Sequence, residues 1–353
     1  MIRPWIFEFF PELTDPGPQS NPKLVTSYFD DYLKTWQRDE LLGFEGIFFS
    51  EHHFGGAYGA SPNLLIAAMA MRTRSLRLGV MGVVTPYYQP WRIFEEIAML
   101  DHLSGGRLEI GTAIGVPQEL IQVGISMQEA RERNDEAIAI LDAALASESV
   151  SFDGKYYSFK NLRLLPRPAQ TPSPPKWTTV VSDDSARKAA RRHSKICTGF
   201  NPTRRIKQIF DSYRDEADKS GIKVGPEHLA LRRRVVIAQT ESEAKEKSNA
   251  VYERLKRMLS EDPRAVIKHV GTAVAAVPDD VKPAGGGGFV MAEEEFIVGT
   301  PRQVADEIIL QCRAVGAGNF LAVLHWGALH TEVAGAHEMF GREIIPLLRK
   351  AEL

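Results

Sequence analysis

Cysteine is scarce in this sequence: the 353 residues include two, Cys197 and Cys312, which lie far apart. A disulfide-based fold is therefore not expected, and two free thiols fit a reducing compartment. Long apolar runs are also missing, since no stretch approaches the ~20 apolar residues that span a bilayer. Pro4, Glu8 and Glu12 interrupt the apolar start of the chain, which is untypical of a signal peptide. We expect a cytoplasmic protein that makes no use of a membrane.

Neither sign of charge is in excess. The net charge of −2 gives no reason to expect nucleic acid or an anionic membrane as a partner. The basic runs at 187–192 and 232–234 are short, and such runs are typical of solvated flanks of helices and strands. With 44% hydrophobic and 25% charged residues, the composition is that of an ordinary globular protein.

Short apolar runs alternate with amphipathic stretches along the rest of the chain. The runs predict eight strands, at 5–10, 43–49, 76–84, 107–115, 176–181, 195–199, 229–238 and 320–327. A predicted helix follows each strand, which favours a closed (β/α)8 TIM barrel with its chemistry at the carboxyl ends of the strands. An open doubly wound sheet is the alternative. It usually carries a G-x-G-x-x-G turn after its first strand, and none is present there.

Two insertions interrupt the alternation, after strands four and seven, within what we expect to be a single domain spanning 1–353. Residues 150–175 alternate around Asp153-Gly154 and then become rich in proline, which predicts a hairpin followed by an irregular segment. Residues 271–292 include AGGGGF and predict a mobile loop. Such a loop is compatible with a lid that excludes water from a site and equally with a slack connection.

The segment SEHHFGGAYGASPN at 50–63 places Glu51, His52 and His53 at the predicted barrel mouth. Neighbouring residues of an extended segment point to opposite sides, so the two histidines do not aim at one ion, and no zinc-ligand motif is present. We therefore predict no metal. Two interpretations of the histidines are then open. Either one of them transfers a proton, or one packs beneath the loop while the other is solvated. For a pair at a barrel mouth, proton transfer is at least as good an interpretation.

Polar residues also follow the fifth and eighth predicted strands. Ser182-Asp183-Asp184-Ser185 fits the N-cap of a helix, and the same helix N-terminus would favour an anion such as a phosphate. Both interpretations remain open on local grounds. His325 and Trp326 end the eighth strand and are candidates for a substrate pocket.

Taken in order, several of these segments resemble the bacterial luciferase-like, flavin-dependent monooxygenases. The resemblance is carried by EHHF at 51–54, SPNLLIAA at 61–68, RLGVMGVVTP at 77–86, EEIAMLDHLSGGRLEIG at 95–111 and IVGTPRQVADEI at 297–308. It implies a TIM barrel, a homodimer packed through its early helices, and reduced FMN supplied by a separate NAD(P)H-dependent flavin reductase. Reduced FMN would react with dioxygen, and the resulting flavin hydroperoxide would oxygenate a small organic substrate.

The resemblance also implies roles for individual residues. His52 matches the family's proposed catalytic base, and His53 stands beside it as a second catalytic candidate. Met81-Gly82 matches a position where the family often has a non-prolyl cis peptide beneath the flavin ring. The positions that match phosphate contacts, the first through its backbone N–H, are Val181, Ser182 and Ser185. For the substrate pocket we name Phe54, Tyr58, Tyr87, His325 and Trp326.

Two departures from the family pattern stand at the end of strand four. Ile114 replaces the arginine that grips the flavin phosphate in luciferase proper, a charge-assisted bond worth about 1.5–3 kcal/mol. Ala113, a flavin-contacting position, replaces a reactive cysteine. Flavin binding is then weaker, or another cation such as Arg187 takes over. A deazaflavin-dependent hydride transferase and a non-catalytic flavin-binding relative are the competing interpretations.

Overall fold

The computed structural model describes residues 1–11, 21–54, 57–199, 201–261, 293–325 and 327–352. Within them the chain forms two compact units. We call residues 3–179 with 193–195 the first unit, and residues 1–2, 180–192 and 196–353 the second unit. The predicted loop at 271–292 and the predicted pocket residue Trp326 lie outside the described residues.

Parallel strands form the centre of the first unit, with helices between them. Its strands are Arg3–Glu8 (β1), Gly46–Phe49 (β2), Arg77–Val80 (β3), Val83–Val84 (β4), Leu108–Ala113 (β5), Ser149–Asp153 (β6), Ser158–Arg163 (β7) and Lys176–Thr179 (β8). Its helices are Pro22–Leu42 (α1), Pro62–Arg72 (α2), Pro90–Ser104 (α3), Pro117–Gln122 (α4) and Met127–Ala146 (α5). Strands β1, β2, β3, β5 and β8 pair in that order, and β4 pairs with β5.

The second unit repeats the pattern around a long central strand. Its strands are Lys195–Thr198 (β9), Leu229–Ile237 (β10), Phe296–Gly299 (β11) and Asn319–Leu324 (β12). Its helices are Asp183–Arg191 (α6), Thr203–Lys219 (α7), Glu241–Glu261 (α8), Pro301–Val315 (α9), His330–Met339 (α10) and Ile345–Lys350 (α11), with a π-helical turn at Phe340–Ile344. Strand β10 pairs in parallel with β9, β11 and β12.

The fold is a (β/α)8 TIM barrel, as predicted. Its eight parallel strands are β1, β2, β3, β5, β8, β9, β10 and β12. The predicted insertion after strand four begins as a hairpin, because β6 and β7 pair antiparallel and the N–H of Gly154 donates to the carbonyl of Tyr157. Strand β11, which pairs with β10, had no counterpart in the sequence prediction, and neither had α4.

Aromatic rings fill the interior of the first unit. Trp5 of β1, Phe48 of β2 and Trp177 of β8 are all buried, with ring centroids 4.9 Å apart for the first pair and 5.4 Å for Phe48 and Trp177. Burial of such side chains stabilises each by about 1.5–3 kcal/mol relative to exposure. These rings fix the strands whose carboxyl ends carry the polar residues.

The third predicted strand, 76–84, is wrong as a single element. It divides into β3 and β4 at Met81-Gly82, where the peptide bond is cis, as the family resemblance implied. The backbones approach closely here, because a Cβ on Gly82 would lie 2.6 Å from the carbonyl carbon of Thr112. A Cβ on Gly111 would likewise collide with the carbonyl oxygen of Val80. Glycine at both positions lets β4 lie against β5.

The arginine run at 232–234 is buried, so its interpretation as a solvated flank was wrong. All three arginines lie on β10 and are at most 6% exposed. Nη1 of Arg234 is 2.7 Å from Oε1 of Glu295, and Nε of Arg233 donates to the side-chain oxygen of Gln311 at 2.7 Å. Burial lowers the pKa of each guanidinium, and Glu295 opposes that effect. Glu295, 61 residues from Arg234 in sequence, thus offsets the positive charge that β10 buries.

Candidate active site

The carboxylate of Glu51 organises the loop that follows β2. Its side chain is 1% exposed and accepts three hydrogen bonds. Oε2 accepts from the N–H of Val84 at 3.0 Å, and Oε1 accepts from the hydroxyl of Tyr88 at 2.9 Å. Oε1 also lies 2.9 Å from Nε2 of His53. One carboxylate therefore joins the end of β2 to the segment that starts at β4.

His53 is bound to that carboxylate through Nε2. Its side chain is 19% exposed, and the hydrogen bond to Glu51 raises the pKa of the imidazole against the opposing effect of burial. The ring of Tyr87 meets the imidazole edge-on, with centroids 5.2 Å apart, and Phe54 lies 5.6 Å away. Two predicted pocket residues therefore adjoin a predicted catalytic one.

His52 has a different carboxylate partner. Its Nδ1 lies 3.0 Å from Oε1 of Glu119, which belongs to α4 and is fully buried. The imidazole stacks on Phe9, with centroids 5.8 Å apart and an interplanar angle of 22°. A carboxylate accepts hydrogen bonds, so Nδ1 donates and Nε2 of a neutral ring keeps its lone pair. This tautomer suits a proton acceptor.

The remaining ring nitrogens differ between the two histidines. Among the described residues no hydrogen-bond partner faces Nε2 of His52 or Nδ1 of His53. The hydroxyl of Tyr87 is buried and also lacks a partner within the described part of the chain. Burial raises the pKa of that hydroxyl, and the charges of Glu119 and Glu51 raise it further, so it stays protonated. The site thus offers two imidazole nitrogens and one neutral hydroxyl donor for contacts with a bound molecule.

A backbone platform adjoins this cluster within the first unit. Met81 is buried next to Gly82, and Ala113 of β5 pairs with Val84 of β4. Ala113 and Ile114 are both partly exposed at the end of β5. Two predicted flavin contacts therefore lie close to each other, Gly82 between β3 and β4 and Ala113 at the end of β5.

Tyr58 and Phe54 occupy different surroundings. Tyr58 packs on Phe29 with centroids 5.8 Å apart, and on Phe10 at 5.9 Å, inside an aromatic cluster of α1 and the β1 end. Phe54 is 49% exposed and has φ of 65°, a backbone region that non-glycine residues rarely adopt. Phe54 therefore presents its ring to solvent, while Tyr58 is partly buried among other aromatic rings. Their contact with a substrate stays a prediction.

In the second unit, Ser182 and Ser185 form a capping box at the start of α6. The hydroxyl of Ser182 accepts from the N–H of Ser185 at 3.2 Å, and that of Ser185 accepts from the N–H groups of Ser182 and Val181 at 3.1 and 3.3 Å. The N-cap interpretation is thereby confirmed. It leaves the phosphate interpretation open, because Val181 is 52% exposed and the helix N-terminus favours anions.

The cations near that helix are already paired. Arg205 of α7 donates to both carboxylate oxygens of Asp183, at 3.0 and 3.3 Å. Arg187 donates to the hydroxyl of Ser212 at 3.4 Å. An anion at the helix start would meet Asp183 as well as its arginine partner.

His325 is 3% exposed at the end of β12, with φ of 46°. Its ring nitrogen Nε2 accepts from the backbone N–H of Ile237 at 2.8 Å, and its backbone N–H donates to the carbonyl of Val235 at 3.0 Å. Burial lowers the pKa of the imidazole to about 4. In this structure the neutral ring ties β12 to β10, and its predicted contact with a substrate remains a prediction.

Sequence reasoning missed Glu119 and Tyr88. Glu119 lies 67 residues from His52, on a helix that was not predicted. One signal was available, a carboxylate two residues after Pro117, in the segment that follows a barrel strand. Among the described residues no group of three or more histidine, cysteine or carboxylate side chains is placed to hold a metal ion. Within the same residues no helix is both long and apolar enough to cross a bilayer.

Residues 9–317 match the family model described as luciferase-like monooxygenase. An uncharacterised Sinorhizobium fredii protein, y4wF, is 33% identical over 70% of this chain and 72% of its own length. The FMNH2-dependent dimethylsulfone monooxygenase of Pseudomonas putida is 27% identical over 93% of this chain and 90% of its own.

Solved structures give the same picture. The monooxygenase RslO1 from Streptomyces bottropensis has a TM-score of 0.80 and 27% identity, covering 98% of this chain and 99% of that one. The oxygenating constituent of 3,6-diketocamphane monooxygenase from Pseudomonas putida, in complex with FMN, has a TM-score of 0.76 and 22% identity, covering 98% of both. An F420-dependent secondary alcohol dehydrogenase has a TM-score of 0.73 and 16% identity, covering 99% of both, which shows a shared fold alone.

Proposed function

The chain belongs to the luciferase-like monooxygenase family, and we propose that it is the oxygenase of a two-component system that uses reduced FMN and dioxygen to oxygenate a small organic substrate. The single observation that carries the proposal is the Glu119–His52 pair at 3.0 Å, which leaves Nε2 of the ring available for proton transfer. When bound, reduced FMN supplies the electrons that activate dioxygen.

The residues of this chain fit that cofactor. In the first unit, Gly82 and Ala113 offer a surface with little side-chain bulk, and His52 follows β2, the strand that pairs with β3. In the second unit, we assign the phosphate to the backbone N–H of Val181 and the hydroxyls of Ser182 and Ser185, which bond one another in this structure and would exchange those bonds for phosphate oxygens. Those groups are donors at a helix N-terminus, which is the chemistry a phosphate requires.

His52 accepts and returns a proton at Nε2 in this proposal. Proton uptake at Nε2 makes the ring cationic, and Glu119 stabilises that cation through Nδ1–H. Stacking on Phe9 holds the ring plane, so the lone pair keeps one direction. Positioned general bases contribute about 10²–10⁴ to a rate.

A flavin reductase is the partner that this proposal requires, since no reduction site for FMN is assigned to the chain. Reductase and oxygenase would share the cytoplasm, where the buried free thiols of Cys197 and Cys312 fit a reducing environment. We also propose a homodimer through α2 and α3. These adjoining helices expose apolar side chains, and the most exposed are Leu64, Met71, Met99 and Leu103 at 72%, 64%, 54% and 45%.

A deazaflavin-dependent hydride transferase is the second candidate. Ile114 favours it, because a cofactor held by other contacts does not need an arginine on the FMN phosphate. The fold shared with the F420-dependent dehydrogenase is compatible with it. Hydride transfer needs no dioxygen, which separates the two candidates.

Isotope incorporation tests the proposal. The protein is incubated with FMN, NADH, a flavin reductase and a panel of carbonyl, sulfone and terpene compounds under ¹⁸O₂, and products are weighed by mass spectrometry. The proposal expects one ¹⁸O atom per product, with His52→Ala reducing its yield about 10²-fold or more. Products that lack ¹⁸O and form equally well without dioxygen would contradict the oxygenase proposal.

A further inference from the structure

The two adjacent histidines are anchored through opposite ring nitrogens. His52 binds Glu119 through Nδ1, whereas His53 binds Glu51 through Nε2. The nitrogens that remain for a bound molecule are therefore Nε2 of His52 and Nδ1 of His53. Two identical side chains next to each other in the sequence are in this way built for different contacts.

We propose that His53 is a catalytic hydrogen-bond donor, an imidazolium paired with Glu51 that presents Nδ1–H to a negatively charged oxygen of the bound reactants, while His52 alone exchanges the proton. This inference rests on the proposed oxygenase function. It involves no bond formation at His53 and no change in its protonation during turnover. Preorganised donors aimed at developing negative charge are among the largest contributions to enzymatic rates.

The surroundings of His53 favour the cation. Glu51 contacts it from the end of β2, and Glu119 acts from α4, so both nearby carboxylates stabilise a positive ring. The turn after β4 contributes Tyr87 and Tyr88, whose hydroxyl pKa values are raised by burial and which therefore carry no charge. The hydrogen bond to Glu51 dominates, and the pKa of His53 is raised.

Glu51 is itself fixed, which gives the donor a defined direction. Its carboxylate is held by the N–H of Val84 and the hydroxyl of Tyr88 in addition to His53. The carbonyl of Tyr88 accepts from Tyr157 at 3.3 Å, which connects the turn to the β6–β7 hairpin. A ring whose Nε2 is anchored to such a hub keeps Nδ1 pointed one way, as preorganisation requires.

Flavin-free protein provides a test that does not depend on the oxygenase function. Histidine side chains are labelled with ¹³C and ¹⁵N, and the nine histidines are titrated by NMR, with His53→Asn identifying the signal of His53. We expect His53 to remain protonated to a higher pH in the wild type than in Glu51→Gln, which keeps the acceptor oxygen and removes the charge. Tyr88→Phe is the matched control, because it removes a hydrogen bond to Glu51 without removing the charge, and it is expected not to lower the pKa of His53. Equal titration of His53 in wild type and Glu51→Gln would overturn the inference.

Kinetics then test the donor itself. In His53→Gln the side-chain amide reaches towards Nε2 and retains a contact with Glu51, whereas in His53→Asn the amide lies near Nδ1 and retains a neutral donor there. We expect His53→Gln to lose about 10²-fold in kcat with an unchanged KM for reduced FMN, and His53→Asn to lose less. The reverse order would overturn the donor role. If the wild type fails to turn over with reduced FMN while the NMR result holds, the oxygenase proposal is wrong and the charged pair remains.

Discussion

Nδ1 of His52 lies 3.0 Å from Oε1 of Glu119, a fully buried carboxylate on the short helix α4. This contact sets the tautomer of the histidine and stabilises the ring once it has gained a proton. We predict that Glu119→Gln lowers kcat about 10²-fold, because the amide carries no charge to offset the imidazolium. The KM for reduced FMN should stay within about twofold.

Glu132→Gln is the matched control for this change, since Glu132 lies on the surface of α5 and bonds Lys155 and Tyr156. Rates of product formation are measured for both variants beside thermal unfolding. A Glu119→Gln enzyme as active as Glu132→Gln would show that Glu119 has no part in proton transfer.

Ile114→Arg tests how the phosphate is held. If the residue replaces a phosphate-binding arginine, the variant should bind FMN more tightly by about 1.5–3 kcal/mol, which is roughly 10- to 150-fold in Kd. Riboflavin lacks the phosphate, so its Kd should not change. Fluorescence titration measures both ligands, with Ile114→Met as the uncharged control. An equal gain for riboflavin would contradict a phosphate contact.

Gly82→Ala should destabilise the fold by about 1–3 kcal/mol, because its Cβ would lie 2.6 Å from a backbone atom of Thr112. Gly335→Ala on the exposed face of α10 is the control. Nothing lies within 4 Å of a Cβ there, and the added methyl group should stabilise the helix by about 0.5–1 kcal/mol. Urea unfolding of both variants gives the comparison. Equal stability would mean that β4 and β5 move apart at no cost.

Acid should weaken the protein through His325. Its imidazole has a pKa of about 4 in the folded state because of burial, against an ordinary value of 6.5. As the pH falls below 6.5 the unfolded chain gains a proton that the folded chain refuses, so stability is lost between about pH 6.5 and 4. The loss from this group is about 3 kcal/mol.

His325→Asn should remove that part of the pH dependence, because asparagine tolerates the positive φ and does not titrate. At neutral pH the variant should be less stable by about 1–3 kcal/mol, since the N–H of Ile237 loses its acceptor. Free energies of unfolding at pH 7 and pH 4.5 are compared. A parallel loss in both proteins would assign the acid sensitivity to other groups.

Local patterns predicted what depends on local chemistry. Strand–helix alternation predicted the barrel, and Asp153-Gly154 predicted the hairpin. Glu119 escaped because a hydrogen bond across 67 residues leaves no trace in local pattern. Burial of the arginines of β10 escaped for the same reason, because Glu295 is 61 residues from Arg234. In both cases a buried polar side chain is stabilised by a partner that is distant in sequence.

The split of the third strand was foreseen in part. Resemblance to a family predicted the cis bond at Met81-Gly82, while the apolar run 76–84 predicted one continuous strand. Close approach between Gly82 and the backbone of β5 decides the outcome, and a run of apolar letters does not encode it.

An anaerobic binding titration distinguishes an FMN-dependent oxygenase from a deazaflavin-dependent hydride transferase. Purified protein is titrated side by side with reduced FMN, oxidised FMN and the deazaflavin cofactor, and dissociation constants are compared. We predict that reduced FMN binds most tightly of the three. A preference for the deazaflavin cofactor would contradict this prediction and assign the protein to hydride transfer.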